Sequence, residues 1–354
     1  MSDTLSIESH KGPYKVFFDE RALERLNAAV PGDTHFIIDK HVAELYREKM
    51  PSVVNSSSVL LIEATETNKS LDKFPAYVKH LVDHQIRRDH QIIAIGGGII
   101  QDITCFLSAT LLRGVSWKFY PTTLLAQADS CVGSKSSINC GAAKNILGTF
   151  TPPAEIHLAT SFLDTLGERD TRSGVGEILK VHAIDGPASF DAIANDYDHL
   201  FSDQATMIRY VHRALEIKQG YIERDEFDQG PRNIFNYGHS FGHAIEAATN
   251  FGIPHGIAVT IGMDFANWMA WKMGVGIEAN YRRMHPTLAS NYQGFDKVEV
   301  PVEPFIAAIS KDKKNVGAEV TLILPDSNAT LFRASYLNDE VFHDLCASYL
   351  TAQR

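Results

Sequence analysis

From residue 91 to residue 112 the sequence reads QIIAI, then GGG, then IIQDITCFLSATLL. The opening run is short and apolar, as a fully buried strand requires. Three glycines break it, and Ile99–Leu112 resumes with apolar residues at helical spacing. A strand, a glycine turn and a helix in that order make the chain run up a sheet and return along one of its faces. The surrounding sequence repeats the alternation. Tyr14–Phe18, His35–Asp39, Ser58–Glu63 and Val115–Tyr120 read as strands, and Leu71–Arg87 reads as a helix. These segments predict an α/β domain with a largely parallel sheet.

From about residue 160 the pattern changes. Thr171–Ile184, Ala205–Glu223, Asn233–Ala248 and Ile257–Met273 read as helices, and a strand signal returns only at Glu319–Leu324. A chain of 354 residues is long enough for two ordinary domains. The expected division is an α/β domain over residues 1–160 and a mostly α-helical domain over 161–354.

Charge and cysteine content narrow the function. The formal net charge is -10, which argues against nucleic acid or an anionic membrane as the main partner. A small phosphorylated ligand stays compatible, because a few lysines and arginines can be focused in one cleft. The four cysteines form no CxxC pair, so reduced thiols are expected rather than a disulfide framework. The N-terminal sequence has no apolar leader, and no apolar run approaches the roughly 20 residues of a membrane helix. The expected location is the cytoplasm.

Three segments carry chemistry. Gly96-Gly97-Gly98 between a strand and a helix suits an anion, because glycines admit close approach and helix N-terminal N–H groups face it. The segment is not the GxGxxG fingerprint, and a plain tight turn explains it equally well. The second segment runs from Pro121-Thr122-Thr123 through Asp129 to Lys135, Asn139, Lys144 and Asn145. Lysines and amides in a Gly/Ser-rich stretch suit phosphate oxygens, although a solvated loop has the same composition. The third holds His239 and His243 four apart on one helix face, His255 before Gly256, and Glu177 in an apolar helix. One carboxylate and two imidazoles with an open position would make a catalytic zinc site. By spacing alone, hydrogen-bonded core histidines remain the commoner reading, since the HExxH signature is absent.

Taken in order, GGGIIQD, LRG, PTTLLAQADSCVGSK, AAKNILGTF, GEILK, RNIFNYGHSFGHAIE and PHGIAVTIGM resemble the 3-dehydroquinate synthase and wider sugar-phosphate cyclase family over about residues 36–324. The resemblance implies an N-terminal NAD-binding domain, a helical metal-binding domain, an active site in the cleft between them, and a homodimer. It assigns Glu177, His239 and His255 to the metal, normally zinc, with cobalt as a substitute. It assigns Asp39, Glu66, Lys69, Gly97, Gly98, Asp102, Thr122, Thr123, Lys144 and the Phe162–Thr165 turn to NAD. Substrate would meet Asp129, Lys135, Asn145, Lys180, Lys218, Asp228, Arg232, Asn236, His243 and Lys313. Arg113 resembles an arginine that reaches the partner subunit's site.

The reaction implied is carbocycle formation from a sugar phosphate. It combines transient oxidation by NAD, β-elimination of phosphate, return of the hydride and intramolecular aldol closure. The arginine at 232 favours a carboxylate-bearing substrate, 3-deoxy-D-arabino-heptulosonate 7-phosphate, with 3-dehydroquinate as product. Against the family pattern, Gln101 and Ser134 stand where glycine is common. Asp228 stands for a glutamate, and Ile257 for a glutamate expected to support a metal histidine. These departures keep open a paralogous cyclase of a specialised pathway, acting on sedoheptulose 7-phosphate or a similar sugar phosphate. A metal-dependent polyol dehydrogenase is a further alternative, which Lys135 and Lys144 argue against.

Overall fold

The computed structural model describes residues 4–141, 143–311, 315 and 318–352. The chain forms two compact units, Met1–Leu166 with Lys218–Asp228, and Gly167–Ile217 with Gln229–Arg354.

The first unit contains β1 (Thr4–Ile7), β2 (Tyr14–Phe18), α1 (Ala22–Ala28), β3 (Thr34–Asp39), α2 (Lys40–Leu45), α3 (Pro51–Val54) and β4 (Val59–Ile62). It continues through α4 (Phe74–Asp83), β5 (Gln91–Gly96), α5 (Gly98–Thr110), β6 (Ser116–Pro121), β7 (Ile138–Cys140), β8 (Ala143–Leu147) and β9 (Glu155–Leu158). Seven strands form one sheet in the order β1-β2-β9-β6-β5-β3-β4. Every pairing is parallel except β1 with β2. Ile92, Ile93, Ala94 and Ile95 of β5 are all buried, as expected of an inner strand covered on both faces. Ile38 pairs with Ile95, and Gly96 with Pro121. Asp39, the glycine turn and Thr122 therefore lie at the carboxyl ends of three adjacent strands, where open α/β sheets bind ligands.

The second unit contains α6 (Glu168–Asp185), α7 (Pro187–Asn195), most of α8 (Gln204–Ile222), α9 (His239–Ala248), α10 (His255–Lys272), α11 (Glu278–Tyr292) and α12 (Val302–Ser310). The antiparallel hairpin β10 (Glu319–Pro325) and β11 (Leu331–Leu337) and the terminal helix α13 (Glu340–Ala352) complete it. Residues 256–270 of α10 are buried throughout, which marks it as a central helix rather than a surface one. Phe265 of α10 stacks on Phe241 and Tyr349 at 4.3 and 4.0 Å between ring centres. Asp264 is fully buried and accepts hydrogen bonds from Tyr292 and Tyr349, with His285 Nδ1 at 3.0 Å. These contacts join α10, α11 and α13.

Two expectations need correction. The helix read over Asn233–Ala248 is broken: a 3-10 turn covers Pro231–Asn236, and Gly238 at φ +76° separates it from α9. A Cβ at Gly238 would press on the Val259 carbonyl, so close packing against α10 dictates the break. The expected division also assigned Lys218 and Asp228 to the second domain, whereas both belong to the first unit. Lys218 pairs with Asp129, Asp228 pairs with Lys135, and Glu226 accepts from Ser9 and His10. Those partners all lie in the first unit. Among the described residues, no helix is long and apolar enough to cross a membrane.

Candidate functional site

Each candidate metal ligand of the second unit stands beside a glycine: Gly176-Glu177, Gly238-His239, Gly242-His243 and His255-Gly256. A Cβ on Gly176 would meet the Gly256 carbonyl, and one on Gly256 would meet the Ser173 carbonyl. The helices α6 and α10 thus touch backbone to backbone, which no larger residue permits. This approach brings Glu177 Oε1 to 3.5 Å from His255 Nε2 and 3.7 Å from His239 Nε2. One ligating atom from each of His239, His243 and His255 lies within 4.8 Å of the others. Three imidazoles and a buried carboxylate are a donor set suited to Zn2+ or Co2+. His243 thus stands beside the implied set of Glu177, His239 and His255.

Glu177 and Lys180 lie one turn apart on α6, with side chains only 1% and 3% exposed and an Nζ–Oε2 distance of 2.6 Å. Such a pair holds its charges only because each compensates the other. Lys180 also lies over the Phe235 ring at 5.5 Å. Burial acts against a charge on His255, yet the Glu246 hydrogen bond and the Glu177 carboxylate raise its pKa above the ordinary histidine value. Arg232 is buried in the turn before α9, and Asn236 Nδ2 donates to the Asn233 carbonyl at 3.0 Å. Lys313 lies outside the described residues.

In the first unit, Gly97 caps α5 and approaches Thr123 so closely that a Cβ would stand 2.9 Å from its methyl carbon. Thr122 is buried beside it, its N–H bonded to the Gly96 carbonyl. Below this turn, the buried Lys69 Nζ lies 3.1 Å from Asp102, 2.9 Å from Asn145 Oδ1 and 3.3 Å from Glu66. Burial raises the Asp102 pKa, while Lys69 and the Ser137 N–H pull it down. Asn139 completes the network, donating to Glu66 and accepting the Asn145 N–H. Glu66, Lys69, Asp102 and Asn145 are therefore brought together, while Lys144 is exposed on β8. Asp39 closes β3 by accepting the His41 N–H, and burial raises its pKa. Phe162 belongs instead to the core against Tyr46, with ring centres 5.0 Å apart. Of that turn, Asp164 and Thr165 are exposed.

Two further ion pairs gather expected substrate residues. Lys218 lies 2.6 Å from Asp129, and Lys135 pairs with Asp228 at 2.5 Å. Asp129 sits in a one-turn π-helix, Ala126–Ser130, a distortion that recurs at functional sites and that spacing did not reveal. Arg113 is exposed on a turn where Leu112, Arg113 and Gly114 all have positive φ.

Residues 59–173 match the family description 3-dehydroquinate synthase N-terminal, and residues 174–315 match 3-dehydroquinate synthase C-terminal. The chain belongs to the 3-dehydroquinate synthase family. It is thereby an enzyme of the sugar-phosphate cyclase class. The 3-dehydroquinate synthase of Thermoanaerobacter pseudethanolicus is 32% identical over 333 residues, covering 91% of this chain and 94% of the relative. That of Dictyoglomus thermophilum is 34% identical over 285 residues, covering 80% and 79%. Two solved structures share the fold. One is 2-epi-5-epi-valiolone synthase from Streptomyces hygroscopicus subsp. jinggangensis with NAD+ and Zn2+ bound (TM-score 0.80, 24% identity, 96% of each chain). The other is 2-deoxy-scyllo-inosose synthase complexed with carbaglucose-6-phosphate, NAD+ and Co2+ (TM-score 0.81, 20% identity, 97% and 99% coverage).

The departures from the 3-dehydroquinate synthase pattern have local explanations. Gln101 is buried and exchanges two hydrogen bonds with Ser130, at 2.6 and 2.7 Å. Ser134 is buried, and its carbonyl accepts the Thr151 N–H. Asp228 has φ +59°, a region aspartate tolerates better than most residues, and still reaches Lys135. Ile257 is fully buried in α10 and so stands in the core. Glu246 instead places its carboxylate 3.2 Å from His255 Nδ1. Glu246 ends the RNIFNYGHSFGHAIE motif, and the motif alone assigns it no role.

Proposed function

We propose that this chain converts 3-deoxy-D-arabino-heptulosonate 7-phosphate to 3-dehydroquinate with release of phosphate, as a cytoplasmic homodimer of the shikimate pathway. The observation that carries the reading is the buried Arg232 together with the converging Glu177, His239, His243 and His255. When bound, NAD supplies a reversible hydride acceptor and a divalent ion supplies the Lewis acid that acidifies a substrate hydroxyl. Glu177, His239 and His255 would hold the ion, and His243 Nε2 or Nδ1 would move a proton during elimination and ring opening. Lys180 holds Glu177 in place and offers its ammonium to substrate oxygens.

Arg232 would grip the substrate carboxylate, for which a guanidinium fork is the matching shape. Lys135 and Asn145 would hold the phosphate as negative charge grows on it, with Lys218 and Asp129 ordering the same segment. Arg113, exposed on its turn, would act on the partner subunit. Gly97, Gly98, Thr122, Thr123, Asp39 and the Lys69–Asp102 network would receive NAD at the carboxyl ends of the strands. The shortened Asp228 motivates a second reading, a cyclase for sedoheptulose 7-phosphate or a similar sugar phosphate.

Inorganic phosphate release from 3-deoxy-D-arabino-heptulosonate 7-phosphate, with NAD and zinc, tests the proposal. Release that a chelator abolishes, without net NADH, supports it. Folded, metal-loaded protein that turns over sedoheptulose 7-phosphate and leaves the carboxylate substrate untouched would replace it with the second reading.

A further inference from the structure

Glu246 lies one helical turn beyond His243 on α9 and is almost completely buried, 9% exposed. Its two carboxylate oxygens stand 3.3 and 3.2 Å from His255 Nδ1. The other ring nitrogen, Nε2, is turned toward Glu177 Oε1 at 3.5 Å. A neutral imidazole has one N–H and one lone pair, and an ionised carboxylate only accepts. Contact with Glu246 therefore assigns the proton to Nδ1 and leaves the lone pair on Nε2. His239 is arranged in the same sense, with Nδ1 3.2 Å from the Tyr237 carbonyl and Nε2 3.7 Å from Glu177 Oε1. The two differ in charge: a carbonyl orients the ring, whereas a carboxylate also makes its other nitrogen a stronger donor to a cation.

We infer that Glu246 is the positioning carboxylate of the metal centre, fixing His255 with Nε2 toward Glu177 and thereby setting the affinity for a divalent ion. This rests on the proposal that Glu177, His239 and His255 hold that ion. Nothing in the first turn of α10 supplies an equivalent anion, since the residues after His255 are Gly256, Ile257 and Ala258. Glu246 acts through His255, so its effect must vanish when that ring is gone.

The test is competition for Zn2+ and Co2+ against a chelator of known affinity, using wild type, E246Q, H255A and the double variant. Thermal melts of the metal-free proteins accompany it. E246Q is expected to bind either ion roughly 10- to 100-fold more weakly, with an altered visible spectrum of bound Co2+ and an unchanged metal-free melt. In the H255A background the same change is expected to cost almost nothing further. Unchanged affinity in E246Q overturns the inference, as does an equal loss in both backgrounds, which would mark a general packing role. Wild type that binds neither ion would overturn the metal reading itself. Wild-type binding with no E246Q effect removes only the role of Glu246.

Discussion

Gly256 carries its backbone against the Ser173 carbonyl so closely that a methyl group has no place between them. The obstruction is main chain, which cannot rotate aside as a side chain would. Gly256→Ala should therefore force α6 and α10 apart, costing about 1–3 kcal/mol or more and moving Glu177 away from His255. Calorimetry should show a lower Tm, and chelator competition a weaker hold on zinc. Gly220→Ala is the control. Gly220 lies in α8 with nothing near its Cβ direction, so its replacement should stabilise by about 0.5–1 kcal/mol.

Arg232 is buried in the turn before α9. Arg232→Ala should lower kcat/KM for the carboxylate substrate by about 2–5 kcal/mol, roughly thirtyfold to several thousandfold. Affinity for NAD, measured by titration without substrate, should stay the same. Equal turnover in the variant would remove the carboxylate role from Arg232.

His35 is buried in β3, with Nδ1 2.7 Å from Ser58 Oγ and Nε2 3.0 Å from His90 Nδ1. Burial first, then the neighbouring His90, His84 and His80, lower its pKa to about 4, with Asp33 opposing. The folded value is below the unfolded one, so unfolding takes up a proton as the solution is acidified. Stability from this group is complete above pH 6.5 and is lost as pH falls toward 4. Between pH 7 and pH 5 the loss should be about 2 kcal/mol. Urea unfolding across that range should show a shallower slope in His35→Asn. Identical slopes would show that His35 does not control the acid limb.

Lys69 satisfies Glu66, Asp102 and Asn145 from a buried position. Lys69→Met leaves Asp102 without its compensating charge, which should destabilise the chain by about 3 kcal/mol. NAD should bind more weakly, and zinc affinity should not change. Parallel titrations with the two ligands would expose any other outcome.

Apolar runs of contrasting length made the layered first unit and the helical second one legible, because Gln91–Gly96 is a short buried run and α10 a long one. The convergence of Glu177, His239 and His255 was legible through the family resemblance of their motifs. Glu246 was not, because its contact is to the far nitrogen of a ring nine residues along the chain. Ile257 was read as a lost support, since sequence cannot say that position 257 faces the core. The left-handed Gly238 hid within a helix-like apolar pattern, and the π-helix around Asp129 has no periodic signature of its own. The pairing of Lys218 with Asp129 spans 89 positions, a distance at which spacing carries no information.

The segment Lys218–Asp228 returns from the second unit to the first, so the chain passes between units three times rather than once. Neither unit is a contiguous stretch of gene. A fragment ending at Leu166 would leave Asp129 and Lys135 without Lys218 and Asp228, and a crossover there would join halves from different parents at the wrong seam. Recombination that keeps these ion pairs intact must move residues 218–228 together with the first unit, which ties the two parts of the enzyme into a single unit of inheritance.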